Sequence, residues 1–169
     1  MRWLVGLLTG VAIGLYANDV IAFPDGAPWG AADPKSPKAC TSCHFDSDPV
    51  ASSQAITMTG WPARLASATA VGLTIQFTEP NAEIVGFEIA SGSGAFALGQ
   101  RGVEVLGPAA RSVVPIVNDD GVSWQLNWQT SEPIEVLIVF LVAVLAANND
   151  ESPFGDTVHF RSFTFAAVE

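Results

Sequence analysis

The sequence has too few thiols to close a disulfide framework and only just enough thiols and histidines for one four-ligand metal site. Of its 169 residues, two are cysteine and two are histidine. Both cysteines, Cys40 and Cys43, fall in one short stretch, so no second pair is left to staple a core. Basic side chains are also scarce: 7 Lys and Arg stand against 17 Asp and Glu, a formal net charge of −10 at pH 7. Such a chain repels nucleic acid and anionic lipid, and it suits a partner with a basic docking surface. There is no Gly-x-Ser-x-Gly elbow, phosphate loop, dinucleotide fingerprint or internal repeat. No nucleophile can be named with a base and an orienting third group, so an enzyme is not expected unless chemistry occurs on a bound cofactor. The acidic residues Asp150, Glu151 and Asp156 lack EF-hand spacing and read as a solvated loop.

Hydrophobic runs long enough to span a bilayer are missing too. The run from Trp3 to Leu15 follows Arg2 and is closed by Asn18-Asp19, short of the ~20 residues a spanning helix needs. Val20-Ile21-Ala22 places compact residues before Phe23, so residues 1–22 read as a cleavable secretory signal, with an uncleaved anchor as the other reading. Removing those 22 residues from 169 leaves 147, one domain's worth. Arg2 and Asp19 cancel, so the mature chain keeps its charge of −10. The expected protein is exported, to the periplasm or the cell surface, with no membrane insertion after cleavage. A second apolar run, Ile134–Ala147, is also short and is interrupted by Glu135. Its Val, Ile and Phe content predicts a strand covered on both faces.

What the chain does contain is Cys40-Thr41-Ser42-Cys43-His44. In C-x-x-C-H, two thiols reach the vinyl groups along one porphyrin edge, and the histidine follows at once to stand under the iron. The motif predicts one covalent haem c, with Cys40 and Cys43 as attachment points and His44 as proximal ligand. A redox dithiol, a local disulfide and part of a zinc site stay open as alternatives. Zinc is the weakest, because only the distant His159 could complete a set of four ligands. The sixth iron ligand has two candidates. Met58, 14 residues beyond His44, comes first. It shares strand parity with Ile56, which equally suits a core methionine. His159, in the last predicted strand, comes second. Trp61-Pro62 beside Met58 could shield a haem face or enter the core. Lys35 and Lys38 could pair with haem propionates.

Past residue 55 the pattern has period two, the signature of half-buried strands. Val71, Leu73, Ile75 and Phe77 alternate with Gly72, Thr74 and Gln76 before a turn at Glu79-Pro80-Asn81. Val85, Phe87 and Ile89 repeat the device up to a glycine-rich break over 91–94. Further strands are predicted at Val103–Leu106 and Val113–Val117, and Asn118-Asp119-Asp120-Gly121 carries hairpin-turn chemistry. Trp124, Leu126 and Trp128 share one face; a loop over 148–156 precedes the closing strand 157–165. Seven or so strands without a convincing amphipathic helix describe an all-β, immunoglobulin-like antiparallel sandwich. The predicted organisation is a signal (1–22), a leader loop bearing the motif (23–55) and a β-sandwich domain (56–169).

Gly26-Ala27-Pro28, then Cys40 to His44, the Trp124-x-x-x-Trp128 strand, the long apolar strand and Ala146-Ala147-Asn148-Asn149-Asp150 leading to Gly155-Asp156 follow one another in a familiar order. In that order the chain resembles bacterial relatives of the Reeler (reelin-like) domain over nearly its whole mature length, Phe23 to Phe165. The resemblance implies a secreted β-sandwich with the haem-attachment motif soon after the signal, without the disulfides of animal Reeler domains. Ending four residues past Phe165, the chain reads as a free-standing domain. The expected function is electron transfer by an exported, monohaem, c-type cytochrome-like protein, working with a redox partner. Because an exposed porphyrin seeks cover, a homo-oligomer is also expected. The alternative is a cell-surface adhesion or structural module whose two cysteines form a disulfide.

Overall fold

A computed structural model of the chain describes residues 26–36, 38–63, 65, 70–97, 99–130 and 137–166. The predicted signal, residues 1–22, lies outside them. Among the described residues no helix is long and apolar enough to cross a membrane, and the one helical element is a 3₁₀ turn at Cys40–Ser42.

Among the described residues ten strands form two sheets. In the first, β1 (Ile56–Thr59), β2 (Ala70–Phe77), β8 (Val122–Gln129) and β4 (Ala95–Ala97) lie in the order β1-β2-β8-β4. In the second, β10 (Thr157–Ala166), β9 (Leu137–Ala147), β3 (Ile84–Ser91), β6 (Ala109–Ser112) and β5 (Val103–Leu106) follow one another, and β7 (Ile116–Val117) also pairs with β3. All strand pairs are antiparallel. The chain is an all-β antiparallel sandwich.

The period-two residues fix which face is buried, because a one-residue slip would turn every side chain outward. Val71, Leu73 and Ile75 stand opposite Trp128, Leu126 and Trp124 across β2 and β8, and all six are buried in one core. Val85, Phe87 and Ile89 of β3, with Ile138, Phe140, Val142 and Val144 of β9, close that core from the second sheet. Full burial contributes about 1.5–3 kcal/mol for each large apolar side chain. Trp61 joins the core, stacked 4.6 Å from Phe165 and 5.6 Å from Trp128. The core reading of Trp61 therefore holds, and the idea that it shields a haem face does not.

β9 is apolar all round because both of its faces are covered. Its inward residues meet the core, while Ala143 on the outward face packs with Val158, Phe160, Ala32 and Ala39. The cover is the leader, which lies on the outside of the second sheet rather than hanging free. Glu88 of β3, 1% exposed, holds it there. Its carboxylate accepts the amides of Gly30 (2.9 Å) and Ala31 (2.8 Å). Arg111, opposite Glu88 in β6, donates to the carbonyl of Ala27 and stacks 4.5 Å over Trp29.

Three expectations differ from what is found. The strand predicted at Val113–Val117 is reduced to its last two residues: β7 begins at Ile116, just after Pro115, which has no N–H to give a ladder, and β6, where no strand is expected, ends before the predicted one at Ser112. The turn over 118–121 has the expected positive φ at Asp120 (71°) and Gly121 (118°), yet it is no hairpin. It carries the chain from β7 in one sheet to β8 in the other, pinned by Asn118 Nδ2 donating to Glu79 O and Ala82 O. The third is β4, a short strand arising directly after the glycine-rich break, where no strand is expected.

Candidate functional site

The C-x-x-C-H segment is a single tight turn. Ser42 N donates to Ala39 O, Cys43 N to Cys40 O and His44 N to the same Cys40 O at 3.0 Å. This winds Cys40, Cys43 and His44 around one short axis, with both cysteines as free thiols and half-buried. The turn rests on the outward side of the second sheet, where Cys40 packs against the cluster of Ala32, Ala39, Ala143, Val158 and Phe160. Burial, then the nearby Glu88 carboxylate, push the Cys40 thiol up to about 12.

His44 is held from the far end of the chain. Its Nδ1 lies 2.7 Å from Oδ2 of Asp156, whose side chain is 2% exposed. Asp156 is fixed in turn, accepting Asn148 N at its other oxygen (3.3 Å) while its carbonyl accepts the Ser47 hydroxyl (3.0 Å). Gly155 N donates to Asp46 Oδ2, closing a second link between the leader and the loop before β10. With Nδ1 engaged by a carboxylate, Nε2 is the nitrogen left for a metal, and the partner makes it a stronger donor. Phe45 (58% exposed) and Phe154 (55%) flank this pair, ring centroids 6.1 Å apart and edge to face.

The leader then runs along β10. Val50 N donates to Val158 O and Phe160 N to Val50 O, a parallel bridge that covers the edge strand.

The two candidate sixth ligands lie elsewhere. Val158 and Phe160 face the leader, so His159 between them points the other way, into the sandwich. There it is 4% exposed, bonded through Nδ1 to Ser53 Oγ (2.9 Å) and edge-on to Phe77 at 5.0 Å. Met58 follows Ile56 in parity and packs on the same inner core. Cys40, Cys43 and His44 are thus brought together on the outward side, and Met58 and His159 are not among them. Lys35 and Lys38 are exposed near the turn. Among the described residues no group of three or more His, Cys, Asp and Glu converges as a metal cage.

The donor set fits a covalently held haem. Two free thiols lie one turn apart, the imidazole follows at once, and its outer nitrogen is anchored by a buried carboxylate. Of the two anchoring carboxylates, Glu88 is not singled out by sequence, and Asp156, expected in a solvated loop, is buried instead. Asp156 reads as solvated loop because its partner is 112 residues away. The signal that could have marked it is its place after Gly155, at the entry to an apolar strand.

No protein-family model matches the chain, and no curated protein matches it in sequence. Solved structures do match in shape. The Reelin-N domain of F-spondin superposes with a TM-score of 0.57 at 9% identity, over 76% of this chain and 97% of that one. The human F-spondin reeler domain (fragment 1) gives 0.54 at 8% identity, over 73% and 95%. At such identities the likeness is one of fold: the chain is built on a Reeler-like β-sandwich.

Proposed function

We propose that this is an exported, monohaem, c-type cytochrome-like protein that transfers electrons, its haem attached at Cys40 and Cys43 and ligated by His44 Nε2. The observation that carries the reading is the His44–Asp156 pair behind two free thiols on one turn. A hydrogen-bonded carboxylate behind a metal-binding imidazole sets its tautomer and aim. Attachment needs each thiol to add across a vinyl group, the sulfur bonding one carbon and the proton going to the other. Bound there, haem supplies a one-electron ferric/ferrous couple.

The rest is done by the chain. Cys40 and Cys43 tether, and Asp156 orients His44 and strengthens its donation. The apolar cluster around Ala39, Val158 and Phe160 keeps water from the inner side of the turn. Phe45 and Phe154 offer apolar surface beside the ligand. The net charge of −10 draws in a basic redox partner. A surface adhesion or structural module with a Cys40–Cys43 disulfide is the second reading, and it draws on the Reeler-like fold alone.

Voltammetry of protein exported by cells competent in cytochrome c maturation tests electron transfer. A reversible one-electron couple, absent from the Cys40→Ser/Cys43→Ser variant, is expected. A loaded protein that exchanges no electrons with a cationic mediator would contradict it.

A further inference from the structure

We infer that an iron ligated by His44 keeps its other axial position open to a small exogenous ligand, because the fold places Met58 and His159 on the opposite side of a β-sheet. The inference rests on the haem reading above and goes beyond it by naming what the site would bind.

The sequence holds two methionines and two histidines. Met1 lies in the predicted signal, and His44 is the proximal ligand. That leaves Met58 and His159, and each is tied to the inner core by its strand. For His159 to reach the side of His44, β10 would have to turn over by one residue. That would break a ladder running from Thr157 opposite Ala146 to Ala166 opposite Leu137, and would pull Val158 and Phe160 off the leader cluster. Its bond to Ser53 and its contact with Phe77 would be lost as well. Met58 sits in β1, paired with β2 at all four residues from Ile56 to Thr59, and its side chain shares the core side with fully buried Ile56. A turn of β1 would expel Ile56.

His44 cannot easily exchange roles either, since buried Asp156 holds its Nδ1. The motif meets an apolar cluster on the sheet side, Val158 and Phe160 among it, and Phe45 and Phe154 are exposed to solvent. Lys35 and Lys38, both exposed, are the nearby basic side chains that could compete for iron. An open haem iron takes a small diatomic when ferrous and a small anion when ferric, so carbon monoxide and cyanide are the probes.

The test uses haem-loaded protein whose covalent haem has first been shown by a pyridine haemochrome. Optical and magnetic circular dichroism spectra are recorded in both oxidation states, with and without each probe. The expected result is a high-spin ferrous spectrum, a saturable Soret shift on adding carbon monoxide, and no spectral change in Met58→Ala or His159→Phe. A low-spin ferrous spectrum indifferent to carbon monoxide would overturn the inference, as would high spin appearing only in Met58→Ala, His159→Phe or Lys35→Ala/Lys38→Ala. Near-infrared bands of the unsubstituted protein identify a methionine, histidine or amine ligand directly, so the answer does not depend on any variant folding. Absence of covalent haem at the first step would instead remove the reading beneath it.

Discussion

Two buried carboxylates decide how the N-terminal turn sits, and each is satisfied by donors far away in sequence. Asp156 serves His44. Replacing it by Asn keeps the shape and removes the charge, which, with the proposed haem bound, would weaken donation from the imidazole and favour ferrous iron. The midpoint potential of loaded Asp156→Asn is expected to rise in spectroelectrochemical titration, and a drop would contradict the role given to Asp156. Losing the buried bond should also cost about 1–3 kcal/mol in a urea melt.

Glu88 behaves differently. Burial raises its pKa from the ordinary 4.5, opposed by the amides of Gly30 and Ala31 and by Arg111. The folded chain therefore holds this proton to higher pH than the unfolded one. Its contribution is complete below 4.5 and is lost as pH rises through the folded value. His159 has the opposite sign. Burial lowers its pKa from 6.5, so stability is full above 6.5 and falls as the unfolded chain takes up a proton below it. Urea melts against pH should show an acid-side loss that His159→Phe removes. A loss unchanged in that variant would place the effect elsewhere. At this scale the sequence displays the motif plainly, because C-x-x-C-H is local. It conceals Asp156 and Glu88, because a carboxylate looks solvated until the fold brings its donors.

Among the elements, β2, β3, β5, β8, β9 and β10 can be read from the sequence, and in β2, β3 and β8 alternation reports the buried face directly. The outer cover of β9 is foreseen in Ile134–Ala147, where a run without alternation implies two buried faces. What covers it is not foreseen. The leader has no period of its own, and its docking depends on single contacts. Gly26 illustrates this: at φ +91°, an added Cβ would meet Ser112 O at 2.3 Å. Gly26→Ala should lift the start of the leader and speed amide exchange at Gly30 and Ala31, while β2 and β8 stay protected. Core loss has a different reach. Phe140, fully buried against Trp61, Trp128 and Phe96, should cost about 3–5 kcal/mol as Phe140→Ala, read as a shifted urea midpoint. The shortened β7 and the missed β4 and β6 share a cause: short strands carry too few residues to establish a period.

At the largest scale the described residues form a Reeler-like sandwich with the leader laid over its larger sheet. Its charge of −10 governs encounters. Electron exchange with a basic partner should slow as salt rises past about 0.1 M, where the screening length falls to ~10 Å. A salt-independent rate would argue against electrostatic docking. The exposed Phe45 and Phe154, joined by the porphyrin that the proposed haem would add, would favour a covering copy, so loaded protein is expected to sediment above monomer mass, and a loaded monomer would contradict that. All of this depends on one covalent fact, best read from the intact mass of the exported chain together with its pyridine haemochrome. A mass increased by one haem, with a c-type reduced spectrum, is the predicted result. A colourless chain two hydrogens light, from a Cys40–Cys43 disulfide, would contradict it.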